Sequence, residues 1–103
     1  MARLITVFWR DIPAQVIVKQ GRKTAKVQLS SRFQEAIDRA AMRAGKGSSD
    51  AYLEDWRRSP PRACGADIEA EARGEAEILE AGYSDDRLLR MIKAGGVEVE
   101  PTA

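Results

Sequence analysis

One cysteine and no histidine bound the chemistry open to this chain. Cys64 lies two positions after Arg62, and a neighbouring guanidinium lowers a thiol's pKa toward the reactive thiolate. A nucleophilic thiol is usually activated by an imidazole base, and this chain has none. Cys64 therefore reads as a thiol without a chemical role. The same absence removes histidine-based metal sites, Ser-His-Asp triads and imidazole general bases. Carboxylates are plentiful at Glu69, Glu71, Glu75, Glu77 and Glu80. Their spacing spreads them over the outer face of an Ala-rich helix, where solvated charges sit, instead of converging them as an acid–base pair. The sequence holds no P-loop, no GxGxxG, no CxxC and no metal-ligand cluster. The expectation is no catalytic residue, no metal ligand and no cofactor, so not an enzyme.

Recognition is the alternative chemistry, and two clusters could carry it. Trp9-Arg10-Asp11 ends the first strand ahead of Pro13, and Trp56-Arg57-Arg58 ends the second helix ahead of Pro60-Pro61. Trp and Arg concentrate in interface hot spots, and guanidinium groups stack on aromatic rings. Trp9, Arg10, Asp11, Trp56, Arg57 and Arg58 are thus candidate partner-binding residues. Equally, both indoles could belong to the core, with Arg57 and Arg58 stabilising a helix C-terminus. Lys19, Arg22, Lys23 and Lys26 gather on one hairpin, where they are candidate nucleic-acid contacts through phosphate charge. Lysines on strands also protect an exposed sheet edge from pairing.

The elements that position these residues follow from periodicity. Residues 4–9 place Leu4, Thr6 and Phe8 on one face and Ile5, Val7 and Trp9 on the other, the pattern of a central strand covered on both sides or partly covered by a partner. Pro13 is expected to break it. Residues 15–19 form a second strand, Gly21 a turn, and residues 24–29 a third that alternates Ala25, Val27 and Leu29 inward. Ser31 and Gln34 have the spacing of a capping box before Phe33, Ala36, Ile37, Ala40, Ala41 and Ala44, one face of a helix ended by Gly45. Ser48-Ser49-Asp50 caps a short second helix carrying Tyr52, Leu53 and Trp56. Asp67 opens a third, with Ile68, Ala72, Ala76, Leu79 and Tyr83 on one face, and Ser84 caps a fourth, ended by Gly95-Gly96. Residues 97–100 alternate like an edge strand but equally fit a tail.

The fold class expected is α+β: a three-stranded antiparallel sheet with helices packed on it and a C-terminal helical pair. With 103 residues, 44% apolar and 32% charged, the chain fits one folded domain. It divides into a sheet-plus-two-helix core over 1–58, a Pro/Gly linker over 59–66, an acidic helical pair over 67–95 docked on the core, and a tail over 96–103. Residues 1–62 hold 13 Lys+Arg against 6 Asp+Glu, and residues 63–103 hold 4 against 10. Either the halves fold on each other or each faces a different partner. No apolar run approaches the ~20 residues of a membrane span. The opening residues lack a signal peptide's apolar core, and a single cysteine precludes an internal disulfide, so a cytoplasmic location is expected.

Trp9-Arg10-Asp11-Ile12-Pro13-Ala14-Gln15-Val16 is the most specific segment of a wider likeness. With Ala25-Lys26-Val27-Gln28-Leu29, the helix from Phe33 to Met42 and the stretch from Asp50 to Arg58, it resembles the small bacterial "virulence factor" family over roughly residues 3–90. The resemblance implies a one-domain cytoplasmic companion of folate and corrinoid one-carbon enzymes, with no catalytic activity attached. The leading expectation is a non-catalytic accessory protein that binds another protein, not nucleic acid and not a membrane. An RNA-binding module using the basic hairpin is the alternative.

Overall fold

The computed structural model describes residues 2–98. Strand β1 (Ala2–Trp9) is the axis of the sheet. It pairs antiparallel with β2 (Ile12–Gln20), which pairs in turn with β3 (Lys23–Gln28). The opposite edge of β1 takes two short strands, β4 (Trp56–Arg58) and β5 (Arg62–Cys64), giving the order β3-β2-β1-β4 with β5 beside β1. β1 is thus flanked on both edges, but only its Leu4 face is covered by the helix-side core, and Ile5 and Val7 stand on the other. Helices α1 (Ser31–Arg43), α2 (Ser49–Glu54), α3 (Ile68–Gly82) and α4 (Asp85–Lys93) complete the α+β fold.

The sheet has five strands where three were expected, and the extra two replace a helix end and part of a linker. Helix α2 stops at Glu54, and the Asp55 carbonyl accepts a hydrogen bond from Arg10 N–H at 3.0 Å. That bond draws the following residues alongside β1, with Trp56 opposite Trp9, Arg57 opposite Phe8 and Arg58 opposite Val7. Ser59 exchanges two further bonds with the Thr6 backbone, at 2.8 and 2.9 Å. Pro60 and Pro61 have no N–H and end the pairing. Arg62, Ala63 and Cys64 then rejoin β1 opposite Leu4, Arg3 and Ala2. Pro13 does not break the hairpin. It lies within β2 opposite Phe8, where a register shift leaves Ala14 as an extra residue, and bulges are where sheets tolerate proline. Of residues 97–100, the last two lie outside the described residues, and Val97 and Glu98 are not in a strand.

All helices pack on one face of the sheet. Leu4, Val16, Val18 and Ala25 from the strands meet Phe33 and Ile37 of α1, Ala72 and Ala76 of α3, and Leu88, Met91 and Ile92 of α4 in one buried cluster. Helix α3 lies across β2 and β3, and α4 lies against α1. Alanines at the contact faces of α1 and α3 let backbones approach closely, with Ala40 and Ala72 both 0% exposed.

The start of α1 is capped through tertiary structure. Ser30, not Ser31, occupies the cap position and makes no side-chain cap bond of its own. Glu80, from the last turn of α3, instead accepts from the Ser30 N–H at 2.6 Å and from the Ser30 hydroxyl at 2.9 Å. Gln34 donates to Asp38 and to the Tyr52 hydroxyl, so the expected capping box does not form. Arg32 completes the joint, donating to the Glu80 and Tyr83 carbonyls at the end of α3 and pairing with Glu80 and Asp85. Burial pushes the Glu80 carboxyl up, but the two Ser30 bonds and the Arg32 charge outweigh it and hold the group below its ordinary 4.5.

Both α1 and α4 end in Schellman turns. Gly45 has φ +73, and Lys46 N–H reaches the Ala41 carbonyl at 2.7 Å; Gly95 has φ +74, and Gly96 N–H reaches the Met91 carbonyl at 2.7 Å. The second turn is also a packing contact. Gly96 has φ +98, and a Cβ there would sit 2.6 Å from the Trp9 ring.

Gly96→Ala should therefore cost about 1–3 kcal/mol in a denaturant titration, combining backbone strain with a displaced indole. Glu80→Gln should cost about 1–2 kcal/mol near pH 7. Because the folded Glu80 carboxyl titrates below its unfolded value, its stabilisation is complete above the unfolded pKa and fades as pH falls through the folded one. The wild-type advantage over Glu80→Gln should accordingly be present at about pH 7 and shrink as pH falls below the unfolded carboxyl's range. A difference unchanged over that fall would refute the assignment.

Candidate functional site

The two aromatic–guanidinium clusters, 47 residues apart in the chain (Trp9 and Trp56), become neighbours when β4 pairs with β1. Their members have different roles. Trp9 is 0% exposed; its indole N–H donates to the Tyr52 carbonyl at 2.8 Å, and its ring stacks on Tyr52. It is a core residue and presents no surface to a partner. Arg10 occupies the β1–β2 turn at φ +53, a conformation most side chains avoid. Its guanidinium lies over the Trp9 ring, pairs with Asp55 at 3.2 Å and donates to the Gly95 carbonyl at 2.9 Å. Arg10 therefore staples three segments together.

Asp11 faces the surface. Its N–H donates to the Gly96 carbonyl, and its carboxylate accepts from Arg57 at 3.1 Å and from the Glu98 N–H at 2.7 Å. Arg57 also donates to the Arg10 carbonyl at 2.9 Å and lies over the Phe8 ring. These bonds fix the guanidinium in place while leaving the side chain half exposed. Arg58 is exposed and forms no ion pair among the described residues.

Val7, Gln15, Trp56, Arg57 and Arg58 line an open cleft of about 390 Å³. It has an apolar floor, one amide and two guanidinium groups, which suits apolar contact combined with recognition of an anionic group. Four of the six candidate residues thus bear on the surface: Trp56, Arg57 and Arg58 line the cleft, and Asp11 holds Arg57. Trp9 and Arg10 support it from behind. Val7 and Gln15 were missed. Val7 had already been placed on the face opposite Leu4, but only the cross-strand register shows that Gln15 and Arg58 flank it.

The basic hairpin divides. Lys19 and Lys26 project from the sheet face away from the helices, whereas Lys23 pairs with Gln20 one position out of phase and Arg22 sits in the turn. Cys64 lies in β5, half-buried against the core. Burial and the Glu71 carboxylate push its thiol above the ordinary 9.0, and the Arg62 charge offsets this only in part. Arg62 is engaged with Glu75 at 2.7 Å, so the expected activating neighbour does not bring the thiol toward thiolate. Among the described residues, no three His, Cys, Asp or Glu side chains converge as metal ligands. No helix among them is long and apolar enough to cross a membrane.

No curated protein and no solved structure matches this chain. The Virulence factor family model matches residues 7–92, which takes in β2 to α3 entire, the last three residues of β1 and most of α4. The match contains the Trp9–Asp11 turn, the cleft and the Gly-free body of α4, and on that extent the chain belongs to the Virulence factor family.

Proposed function

We propose that this protein is a non-catalytic interaction subunit that binds another protein through the cleft lined by Val7, Gln15 and the three residues of β4. The observation that carries this reading is the pair of arginines beside Trp56, of which Arg57 is preorganised. Arg57 is held by Asp11 and the Arg10 carbonyl, while Arg58 is left without an ionic partner among the described residues. Fixing a guanidinium before binding lowers the entropy cost of association, and an aromatic beside arginines is the composition of an interface hot spot. The raised Cys64 thiol supports a role other than nucleophilic catalysis. A cytoplasmic accessory subunit of a folate or corrinoid one-carbon methyl-transfer system is the specific role we assign, on the resemblance carried by residues 9–16. A second reading, RNA binding, draws on Lys19, Arg22, Lys23 and Lys26, all exposed or half-exposed on one hairpin.

Affinity capture of the tagged chain from native lysate of its source organism tests the assignment. A stoichiometric protein partner should be recovered, and Arg58→Glu should remove most of it while leaving the melting temperature within about 1 °C, as for an exposed residue away from structural bonds. Equal capture by Arg58→Glu would overturn the role of the cleft. RNA is tested by mobility shift at ~50 mM and ~200 mM salt: binding that collapses at the higher salt and is lost in Arg22→Glu with Lys23→Glu would replace protein binding with the second reading.

A further inference from the structure

The cleft borders an unpaired strand edge. β4 lies at the rim of the sheet and pairs with β1 alone. Two bonds fix which of its backbone groups face β1: Arg10 N–H donates to the Asp55 carbonyl, and Ser59 N–H donates to the Thr6 carbonyl. Antiparallel ladders alternate bonded and non-bonded pairs. Asp55, Arg57 and Ser59 therefore turn their backbone toward β1, while Trp56 and Arg58 turn theirs outward. Neither the N–H nor the carbonyl of Trp56 and Arg58 has a hydrogen-bond partner among the described residues. Pro60 and Pro61, which have no N–H, end the run. What remains beside the cleft is a short edge of two donors and two acceptors.

We infer that an extended acidic segment of the partner protein adds to the outer edge of β4 as a further strand, an inference that rests on the protein-binding function proposed above. The edge selects the class of occupant. Alternating N–H and carbonyl groups are matched by another extended peptide backbone. A helix has already used its own backbone groups internally. Phosphate oxygens of a nucleic acid accept hydrogen bonds and donate none, so they leave both carbonyls unmatched. Charge then selects the sequence. Arg57 and Arg58 are exposed and alternate across β4, so an added strand meets one guanidinium on each face. Arg58 forms no ion pair among the described residues, and Arg57 keeps half its side chain in solvent beside Asp11. Carboxylates opposite these two positions, with an apolar or β-branched side chain opposite Trp56, complete the match. A second copy of β4 does not fit, because pairing would set arginine against arginine, and like charges facing each other destabilise a ladder. Shortness and flanking prolines guard such an edge against indiscriminate pairing, which suits a site for one short segment.

Panning a phage-displayed library of random dodecapeptides on the full chain supplies the probe. Enriched sequences should carry adjacent Asp or Glu residues beside an aromatic or β-branched one, with no proline in the run. The best-enriched peptide, made synthetically, should displace the partner captured from lysate. It should also slow amide hydrogen exchange at Trp56 and Arg58 about tenfold or more, since these are the N–H groups of β4 left free to pair. Arg58→Pro separates the edge from the charge. It and Arg58→Ala both lack the guanidinium, but only proline lacks the outward N–H, and an edge strand tolerates proline there. At matching melting temperatures the peptide should bind Arg58→Pro about fivefold more weakly than Arg58→Ala, the effect of one lost hydrogen bond. Equal binding by the two variants, no enrichment, enriched peptides with helical apolar spacing, or slowed exchange at Thr24, Lys26 and Gln28 on the opposite edge instead overturns the inference. The two levels separate cleanly. If Arg58→Glu abolishes partner capture while the enriched peptide leaves the Trp56 and Arg58 amides exchanging freely, protein binding through the cleft stands and strand addition is wrong. If wild type captures no protein, both fall.

Discussion

A buried indole at the end of β1 is the constraint on which the rest of this structure turns. Trp9 is completely enclosed, and each wall of its pocket comes from a different part of the chain: Tyr52 from α2, Arg10 from the adjoining turn, and Gly96 from the end of α4. Burying a large aromatic side chain contributes on the order of 3 kcal/mol, but only if the walls close. The indole N–H must also find an acceptor, and the Tyr52 carbonyl provides it. Positive φ at Arg10 and Gly96 is accepted because it permits this closure.

The same corner couples distant segments. Arg10 and Asp11 are bonded to Asp55, Arg57, Gly95, Gly96 and Glu98, so the first hairpin, the β4 edge and the end of α4 form one joint. At the other end of the helical layer, Arg32 and Glu80 play the equivalent part between the start of α1 and the end of α3. Both joints connect a basic N-terminal residue to the C-terminal half, by carbonyl groups as much as by carboxylates. Hydrogen bonds from guanidinium to the carbonyls that end a helix satisfy groups that have no partner within it. The uneven charge of the two halves is thus used partly within the molecule, and four of the cations without an ion pair among the described residues, Arg3, Lys19, Lys26 and Arg58, stand on the open sheet face.

That remainder connects architecture with function. A sheet with helices on one side has a second side to account for, and here that side is neither polar throughout nor openly apolar. Ile5, Val7 and Ile17 keep low exposure beneath a border of long cationic and amide side chains. Long stems over apolar residues keep such a face in water while retaining its capacity to bind. The cleft at Trp56 is the part of this border where two guanidinium groups and an indole stand beside an opening.

Local pattern determined much of this protein without help. The three longest strands, the Phe33–Ala41 face of α1, the Asp67 and Ser84 caps and the glycine stops follow from period-2 and period-3.6 spacing and from the backbone freedom of glycine, all of which act within a few residues. The apolar content of both faces of β1 was legible as well, although helices cover only the Leu4 face. Tertiary structure alone decided the rest. β4 and β5 are three residues each, too short for periodicity, and exist because the free edge of β1 offers unpaired backbone groups. Glu80 displaced the capping box because a carboxylate from another helix reaches the Ser30 N–H first. Trp9 and Trp56 look alike in sequence, yet one is enclosed and the other lines a cleft. Which indole is which depends on Gly96 arriving from the far end of the chain, and spacing in sequence carries no record of that arrival.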